Sequence, residues 1–429
     1  RFKEIRQREV LEMKRLVSII IALILLFAVT GCQGQSSIPV NDPAETTVKQ
    51  LTMKEKLSDF ESLYKVLEEN YPFFDVNNRM NGVDWLANKD KYINMINLAM
   101  TEQQYLDALD TILEDLHNGH TGIIRKDFYL LLKETLKHVE NMPAWQVQLD
   151  KPKTVLRYSE ACNKSKKTEP ATNQTNSYIV PNNVSSGILV DIKIAYIGIA
   201  TLNSFNIEGD MKIIASFLDN VKDYDALILD IRGNGGGDSN YWSENLVPML
   251  INEPVSYNTY YVYRGGSFST EFIKNKLQKS YKDLKPINDI EKEKLQNIPP
   301  ELLYNYKYYI KNEELIHPKD SVKFKGKIYL LVDRRVYSSS EMFASFAKGT
   351  GFATLVGETT GGDGIGQDPL IYSLPNSGYL LKFPMVMGLT ADGSCNEEHK
   401  TIPDIKVAAE RSKDISKDAA IQYVLNLYK

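Results

Sequence analysis

Two apolar runs, each ending in a loop of small residues, constrain the fold of this chain more than any other feature. The first run, Ala226–Ile231, leads into the glycine loop Gly233–Gly237, and the second, Ile328–Val332, leads to three serines at Ser338–Ser340. Short apolar runs with such boundaries are typical of buried strands. Bare glycine N–H groups can bind an anion, and a serine at a strand-to-helix turn can act as a nucleophile. Together they are the minimum equipment of a serine hydrolase.

The pattern around these runs divides the chain into regions. Strands alternate with helical spacing over 187–429, which predicts an α/β core. Amphipathic repeats predict a helical N-terminal domain over 51–135, and residues 136–186 are a connecting segment. A tyrosine-rich insert at about 255–320 interrupts the core. Its aromatic side chains either pack half-buried or form a wall that contacts substrate.

The N-terminus has the pattern of a lipoprotein signal peptide. Met13–Arg15 is basic, Leu16–Val29 carries no charge, and Cys32 follows after two intervening residues. This apolar segment is short for a membrane span, which needs about 18 or more apolar residues, so an uncleaved anchor is the weaker interpretation. The ending at Cys32 resembles the bacterial lipobox, in which the cysteine is lipidated after cleavage. Residues 1–31 are therefore assigned to upstream sequence and signal peptide, and 32–50 to a polar tether.

Charge and cysteine content exclude some functions. The chain has a net charge of -4, and the part after residue 31, with 45 basic and 52 acidic residues, has a net charge of -7. An acidic chain has no electrostatic footprint for nucleic acid. Only Cys162 and Cys395 follow Cys32. They could pair outside the cytosol, but the sequence does not show that they do, and no CxxC motif indicates a zinc site.

The histidines provide few candidates for a general base. There are five, and His120 is favoured because Gly119 and Gly122 place it on a loop after a helix. His399, close to two glutamates, is the second candidate, whereas His138 and His317 have no such surroundings. His117 and His120 could form a metal pair, but no spacing supplies a third ligand, so no metal is predicted.

The serine cluster also has a purely structural interpretation. Ser338–Glu341 matches the S-x-x-E capping box, in which Ser338 would only cap the following helix. Three consecutive serines exceed what one cap requires, and the glycine loops have no packing purpose. These observations favour a catalytic serine.

Four motifs, in order and spacing, resemble those of the C-terminal processing (tail-specific) peptidases. The resemblance covers about 187–408 and rests on Asp230–Gly237, Tyr337–Glu341, Ala353–Thr360 and Pro403–Ile405. It implies a ClpP/crotonase-like α/β core, with Ser338 as the nucleophile. It also implies an oxyanion hole formed by N–H groups of Gly235, Gly236 and Ser339.

The base departs from the tail-specific pattern. Where those peptidases have a lysine base, this chain has Asp363, so a Ser–Lys dyad is excluded there. The chain is instead similar to the tricorn-core-like branch, whose base is a histidine from the N-terminal helical segment and whose glutamate precedes the final Pro-Asp. That resemblance assigns His120 as the base and Glu397 as its orienting residue, with Glu398 as a rival. The branch has a serine where this chain has Gly119.

The resemblance implies a serine endopeptidase that hydrolyses peptide bonds through an acyl-enzyme, without a cofactor. Lipidation would attach it to a bacterial membrane on the extracytoplasmic side, with a peptide or protein as substrate. The connecting segment 136–186 is short for the PDZ domain that many relatives carry. The alternative is a non-catalytic ligand-binding lipoprotein on the same fold.

Overall fold

The two apolar runs form neighbouring strands at the centre of a sheet, and the predicted α/β core with a helical N-terminal region is confirmed. The structure, a computed structural model, describes residues 50–137, 142–165, 180–189 and 193–429, without the side chains of 160–165. The predicted signal peptide, Cys32 and His138 lie outside these ranges. Among the described residues, no helix combines the length and the apolar character that a membrane crossing requires.

Helices dominate the first part of the described chain, and strands become frequent later. The helices are α1 (Met53–Asn70), α2 (Phe74–Asn81), α3 (Lys89–Leu98), α4 (Glu102–Glu114), α5 (Lys126–Thr135), α6 (Pro143–Leu149), α7 (Pro152–Ser165), α8 (Ile207–Val221), α9 (Val247–Leu250), α10 (Ser269–Leu277), α11 (Leu302–Asn305), α12 (Ser339–Thr350), α13 (Asn396–His399) and α14 (Ala419–Asn426). The strands are β1 (Gly122–Ile123), β2 (Val184–Leu189), β3 (Ile194–Ile199), β4 (Ala226–Asp230), β5 (Val255–Tyr263), β6 (Lys285–Pro286), β7 (Tyr308–Ile316), β8 (Lys327–Val332), β9 (Thr354–Gly357), β10 (Leu370–Ser373), β11 (Leu380–Phe383), β12 (Met387–Leu389) and β13 (Ile405–Lys406).

The largest sheet brings the two motif-bearing strands side by side. Within the described ranges its six strands run in the order β13-β9-β8-β4-β3-β2. Neighbouring strands are parallel except for β2 and β3. In the β4–β8 register, Asp230 lies opposite Leu331. Because parallel strands end at the same edge of a sheet, the loops that follow β4 and β8 meet there.

The sheet is buried on both faces, as its nearly continuous apolar strands predict. Leu227 and Leu229 pack with α8 and α12 on one face, while Ala226 and Ile228 pack with α14 on the other. Each fully buried aliphatic side chain of this size stabilises the fold by about 1.5–3 kcal/mol relative to an exposed one. This burial fixes the positions of both strand ends.

The N-terminal helices share a hydrophobic core with the later part of the chain. Phe60 of α1 and Leu109 of α4 belong to the same buried cluster as Tyr261 of β5 and Leu381 of β11. Two smaller sheets contribute to this cluster, with strand orders β12-β5-β7-β6 and β1-β11-β10. The domain boundaries given above remain predictions.

The tyrosine-rich insert is built around β5 and β7, which pair over nine residues each. Tyr257, Tyr261, Tyr263 and Tyr309 are buried, whereas Tyr304 is 86% exposed. For the buried tyrosines, the structure supports packing rather than a wall open to substrate.

A buried ion-pair network holds the loop that follows β4. The Arg232 side chain, 1% exposed, donates to Asp230 at 2.7 Å and to Asp418 at 2.9 Å. Arg411 donates to the same Asp230 at 3.2 Å. Removing one partner of such a pair leaves a buried charge uncompensated, which costs several kcal/mol. The network therefore ties the glycine loop both to its own strand and to the start of α14.

Candidate active site

Ser338 lies between β8 and α12 in a strained backbone conformation. Its φ of 57° and ψ of -130° are unusual for a residue with a side chain and cost about 1–3 kcal/mol. Its side chain makes no hydrogen bond to the helix. Glu341 does not complete a capping box either, because its Oε1 accepts hydrogen bonds from Asn396 and Thr401. The capping interpretation is therefore wrong, and the Ser338 hydroxyl is free for another role.

His120 contacts that hydroxyl although the two residues are far apart in sequence. Its Nε2 lies 3.1 Å from Ser338 Oγ. The histidine is in the loop between α4 and β1, where Asn118 Oδ1 accepts hydrogen bonds from the His120 N–H and the Thr121 hydroxyl, each at 3.0 Å. The imidazole is 22% exposed, so it is accessible from solvent while being held by its loop.

The second imidazole nitrogen contacts Asp363 and not Glu397, the residue that the family resemblance assigns to this position. Asp363 Oδ2 lies 2.7 Å from His120 Nδ1, and its side chain is 5% exposed. It also accepts hydrogen bonds from Asn118 Nδ2 at 2.8 Å and from the Tyr337 hydroxyl at 3.2 Å. In the sequence, Asp363 is notable only because it occupies the position of the lysine base of the tail-specific peptidases. Its place in the loop Gly361–Gly364, next to the core motifs, was the signal that could have identified it.

Glu397 lies one step further from the histidine. Its Oε1 accepts a hydrogen bond from Asn118 Nδ2 at 3.2 Å, and its Oε2 is buried without a hydrogen-bond partner among the described residues. It makes no hydrogen bond to His120. Burial, followed by the nearby charge of Asp363, raises the pKa of Glu397 well above its ordinary value. Asn118 thus bridges two carboxyl groups, of which only Asp363 contacts the imidazole.

Glu398, the rival to Glu397, points to a different partner. It accepts hydrogen bonds from Arg79 Nε at 2.9 Å and Nη2 at 2.7 Å. Its hydrogen bond with Arg79 lowers its pKa. This pairing places the Glu398 carboxylate outside the hydrogen-bond chain that joins Ser338, His120 and Asp363.

Tyr337 packs against the imidazole and leaves no space for a side chain at Gly119, the residue before His120. The ring centroids of Tyr337 and His120 are 4.9 Å apart. A Cβ atom at Gly119 would lie 3.1 Å from the Tyr337 ring and hydroxyl, so a side chain there would force the ring to shift. The hydroxyl of the same tyrosine donates a hydrogen bond to Asp363.

The glycine loop after β4 lies directly against Ser338. A Cβ atom at Gly236, whose φ is 104°, would lie 2.8 Å from Ser338 Cβ and 3.0 Å from Ser339 N. Asn234 holds the loop there, because its Oδ1 accepts from the Gly236 N–H at 3.0 Å and from the Ser340 hydroxyl at 2.7 Å. The Gly236 N–H therefore already has an acceptor. The oxyanion hole predicted from Gly235, Gly236 and Ser339 remains a prediction.

The other candidate side chains do not join this cluster. His117 Nδ1 lies 3.0 Å from the Asp115 carbonyl, while His317 and His399 are exposed. In the described part of the chain, no group of three or more His, Cys, Asp or Glu side chains is arranged to hold a metal ion. Cys395 is a free, buried thiol, and the side chain of Cys162 is outside the description.

A cleft of about 500 Å³ lies away from Ser338. It is lined by residues that include Asp223, Lys325 and Tyr428, around the beginnings of β4 and β8. Functional sites in open parallel sheets lie at the carboxyl ends of the strands, which is where Ser338 is found. The arrangement of hydrogen-bonding groups, rather than the size of a cleft, therefore identifies the candidate site.

Comparisons with known proteins give a family match. A sequence profile of the family described as Peptidase family S41 matches residues 193–407. This range includes Ser338, Asp363 and the glycine loop, whereas His120 lies before it. A search of curated protein sequences found no match.

Solved structures show the same fold at low sequence identity. A protein from Parabacteroides merdae superposes with a TM-score of 0.55 at 20% identity, over 87% of this chain and 96% of that one. Mature CPAF in complex with lactacystin gives a TM-score of 0.55 at 13% identity, over 88% and 98%. The predicted resemblance to C-terminal processing peptidases is confirmed by the family match.

The raised pKa of Glu397 predicts a pH-dependent effect of Glu397→Gln on stability. A folded-state pKa above the ordinary value of 4.5 gives wild-type stability that is complete below pH 4.5 and is lost as the pH rises through the folded pKa. The variant lacks this titration. The difference in melting temperature, variant minus wild type, should therefore increase between about pH 4.5 and pH 8 when measured by calorimetry.

The neighbouring variant Glu398→Gln is the matched control, with the opposite sign. The lowered pKa of Glu398 gives stability that is present above its ordinary pKa and is lost on acidification. This variant should be less stable than wild type at neutral pH and equal to it in acid. A Glu397→Gln difference that does not change with pH would contradict the buried, high-pKa carboxyl group.

Proposed function

Because the chain belongs to peptidase family S41 and is a serine-type peptidase, we propose that it is an endopeptidase whose triad is Ser338, His120 and Asp363. The observation that carries this proposal is the continuous chain of hydrogen bonds from Ser338 Oγ through both imidazole nitrogens to Asp363 Oδ2. This is the arrangement by which a histidine activates a hydroxyl nucleophile and is itself oriented by a carboxylate.

The proposed proton path follows from these contacts. A carboxylate at Nδ1 keeps the proton of the neutral imidazole on that nitrogen, so Nε2 is free to accept the Ser338 proton. As Ser338 Oγ attacks the peptide carbonyl carbon, His120 takes the proton and becomes an imidazolium that Asp363 stabilises. His120 then donates this proton to the leaving amine, which leaves an acyl-enzyme. In the second half of the reaction His120 takes a proton from water, whose oxygen attacks the acyl carbon. His120 then returns this proton to Ser338 Oγ as the ester bond breaks and the acid product leaves.

The oxyanion formed during attack requires donors near Ser338. We assign the Ser339 N–H, at the start of α12, and the Gly235 N–H as the oxyanion donors. Neither group donates to an acceptor among the described residues. The N-terminus of a twelve-residue helix adds a favourable dipole. Loss of one such donor costs about 2.7–4 kcal/mol in other serine hydrolases.

A covalent probe separates the proposed peptidase from a non-catalytic carrier. A fluorophosphonate should label Ser338 in the wild-type protein, should not label Ser338→Ala, and should label His120→Ala much more slowly. Mass spectrometry of the labelled peptide identifies the modified residue. Absence of labelling in folded wild-type protein would favour the ligand-binding alternative. His399→Ala is the matched control and should label like wild type, because that side chain is exposed and outside the triad.

The orienting residue is tested by comparing Asp363→Asn with Glu397→Gln. An amide at position 363 would donate to Nδ1, so the imidazole proton would move to Nε2. Nε2 could then no longer accept the Ser338 proton. We expect kcat to fall by roughly 10⁴-fold in Asp363→Asn and by far less in Glu397→Gln. Steady-state kinetics on a fluorogenic peptide measures both. The reverse order would assign the orienting role to Glu397.

We also propose that the mature protein is anchored outside the cytoplasm by a lipid on Cys32. The support is the sequence of the signal segment, since Cys32 lies outside the described residues. Cys32→Ser should abolish incorporation of a labelled fatty acid and transfer the protein from the membrane fraction to the soluble fraction. Unchanged fractionation and labelling would contradict the anchor, and would leave the peptidase proposal unaffected.

A further inference from the structure

Lys382 is placed close to the catalytic histidine by the smallest sheet. Strand β1 begins two residues after His120, and its Gly122 is paired with Lys382 of β11. Paired residues in antiparallel strands project on the same face. The Lys382 side chain therefore lies on the face of the sheet where Gly122 has no side chain.

The space above Gly122 is open. A Cβ atom built at Gly122 meets no other atom within 4 Å. A side chain from a bound molecule can therefore approach the backbone of Gly122 on this face. The glycine at this position leaves room for a side chain of a bound molecule to contact the Lys382 side chain.

The outer edge of β1 has no strand paired with it among the described residues. The Ile124 N–H donates to the Leu380 carbonyl at 2.7 Å, so residue 124 bonds towards β11. Because successive residues of a strand alternate, the N–H and C=O groups of Ile123 face the other way. In the described part of the chain, β1 is the last strand at this edge of its sheet. A peptide that pairs with Ile123 would have an adjacent side chain over Gly122.

The charge of Lys382 has no counter-ion among the described residues. Its ammonium lies over the Phe128 ring, 5.4 Å from the centroid, and burial alone lowers its pKa. Arg232, also buried, is by contrast neutralised by Asp230 and Asp418. A partly buried cation without a carboxylate is unfavourable, and a carboxylate supplied by a ligand would relieve this cost.

We propose that Lys382, Gly122 and Phe128 form a subsite that selects an acidic side chain of the peptide substrate, within a few residues of the cleaved bond. This inference rests on the proposed peptidase function. The carboxylate lies over Gly122 and pairs with the Lys382 ammonium, while the aliphatic part of the side chain contacts the Phe128 ring, which is 40% exposed. The site therefore cleaves peptides that carry Glu or Asp at this position in preference to neutral ones.

The test uses fluorogenic peptides that differ only by Glu or Gln, with the substitution moved through each position on either side of the cleaved bond. A charge-assisted pair predicts that kcat/KM for the Glu peptide exceeds that for the Gln peptide by roughly 10- to 100-fold at one position. Equal rates for Glu and Gln at every position would overturn the proposal without the need for any variant.

Variants at position 382 assign the preference to this lysine. Lys382→Met should remove the difference between the Glu and Gln peptides while retaining cleavage of the Gln peptide. Lys382→Glu should favour a peptide with Lys at the same position. Lys151→Met is the matched control, because Lys151 also lies over an aromatic ring, 5.6 Å from the centroid of Tyr372, with its pKa lowered by burial. It should keep the preference for Glu.

Failure of this inference can be distinguished from failure of the proposed function. Fluorophosphonate labelling of Ser338 in each variant shows whether the protein is folded with a competent nucleophile. If labelled Lys382→Met retains the preference for Glu, the subsite is wrong and the peptidase stands. If wild-type protein neither labels nor cleaves any peptide, the peptidase proposal fails, and the subsite with it.

Discussion

The parallel pairing of β4 with β8 is the constraint on which the site depends. It brings two loops from distant parts of the sequence to one edge of the sheet, so that the glycine loop lies against Ser338. Burial on both faces fixes the register of these strands, since a shift would move each side chain into the packed core on the opposite face. Asn234 completes the arrangement by accepting hydrogen bonds from both the loop and α12. The strain at Ser338 is maintained because its surroundings are fixed on both sides.

The proposed proton acceptor, His120, comes from a different part of the molecule than the proposed nucleophile, Ser338. His120 follows α4, and its loop is connected to the later chain by the β1–β11 pairing and by the Asn118 amide, which bonds to Asp363 and Glu397. Asn118 thus holds two carboxyl groups near the imidazole. Asp363 contacts His120, whereas Glu397, whose pKa is raised, lies one step further away. A protonated Glu397 would keep a second negative charge away from Asp363.

The parts of this structure that could be predicted from the sequence are those set by local pattern. The strands at 226–230 and 327–332, the serine at a helix start and the histidine on a loop all follow from apolar runs and glycine positions. The orienting carboxylate could not be predicted in this way. Glu397 and Asp363 both lie in the correct region, and the choice between them depends on the path of two loops and on a shared amide donor. The position of Tyr337 beside the imidazole could not be predicted either, because its contact with Gly119 joins residues more than two hundred positions apart.

The shortness of β1 has a consequence for the behaviour of the whole molecule. Only two residues form this strand, and they directly follow the loop that carries the imidazole. Short edge elements open locally with smaller free energies than a buried central sheet does. Turnover would therefore stop on warming before the central strands separate, and the loss of activity would report on the attachment of one loop while spectroscopic signals of the fold remain unchanged.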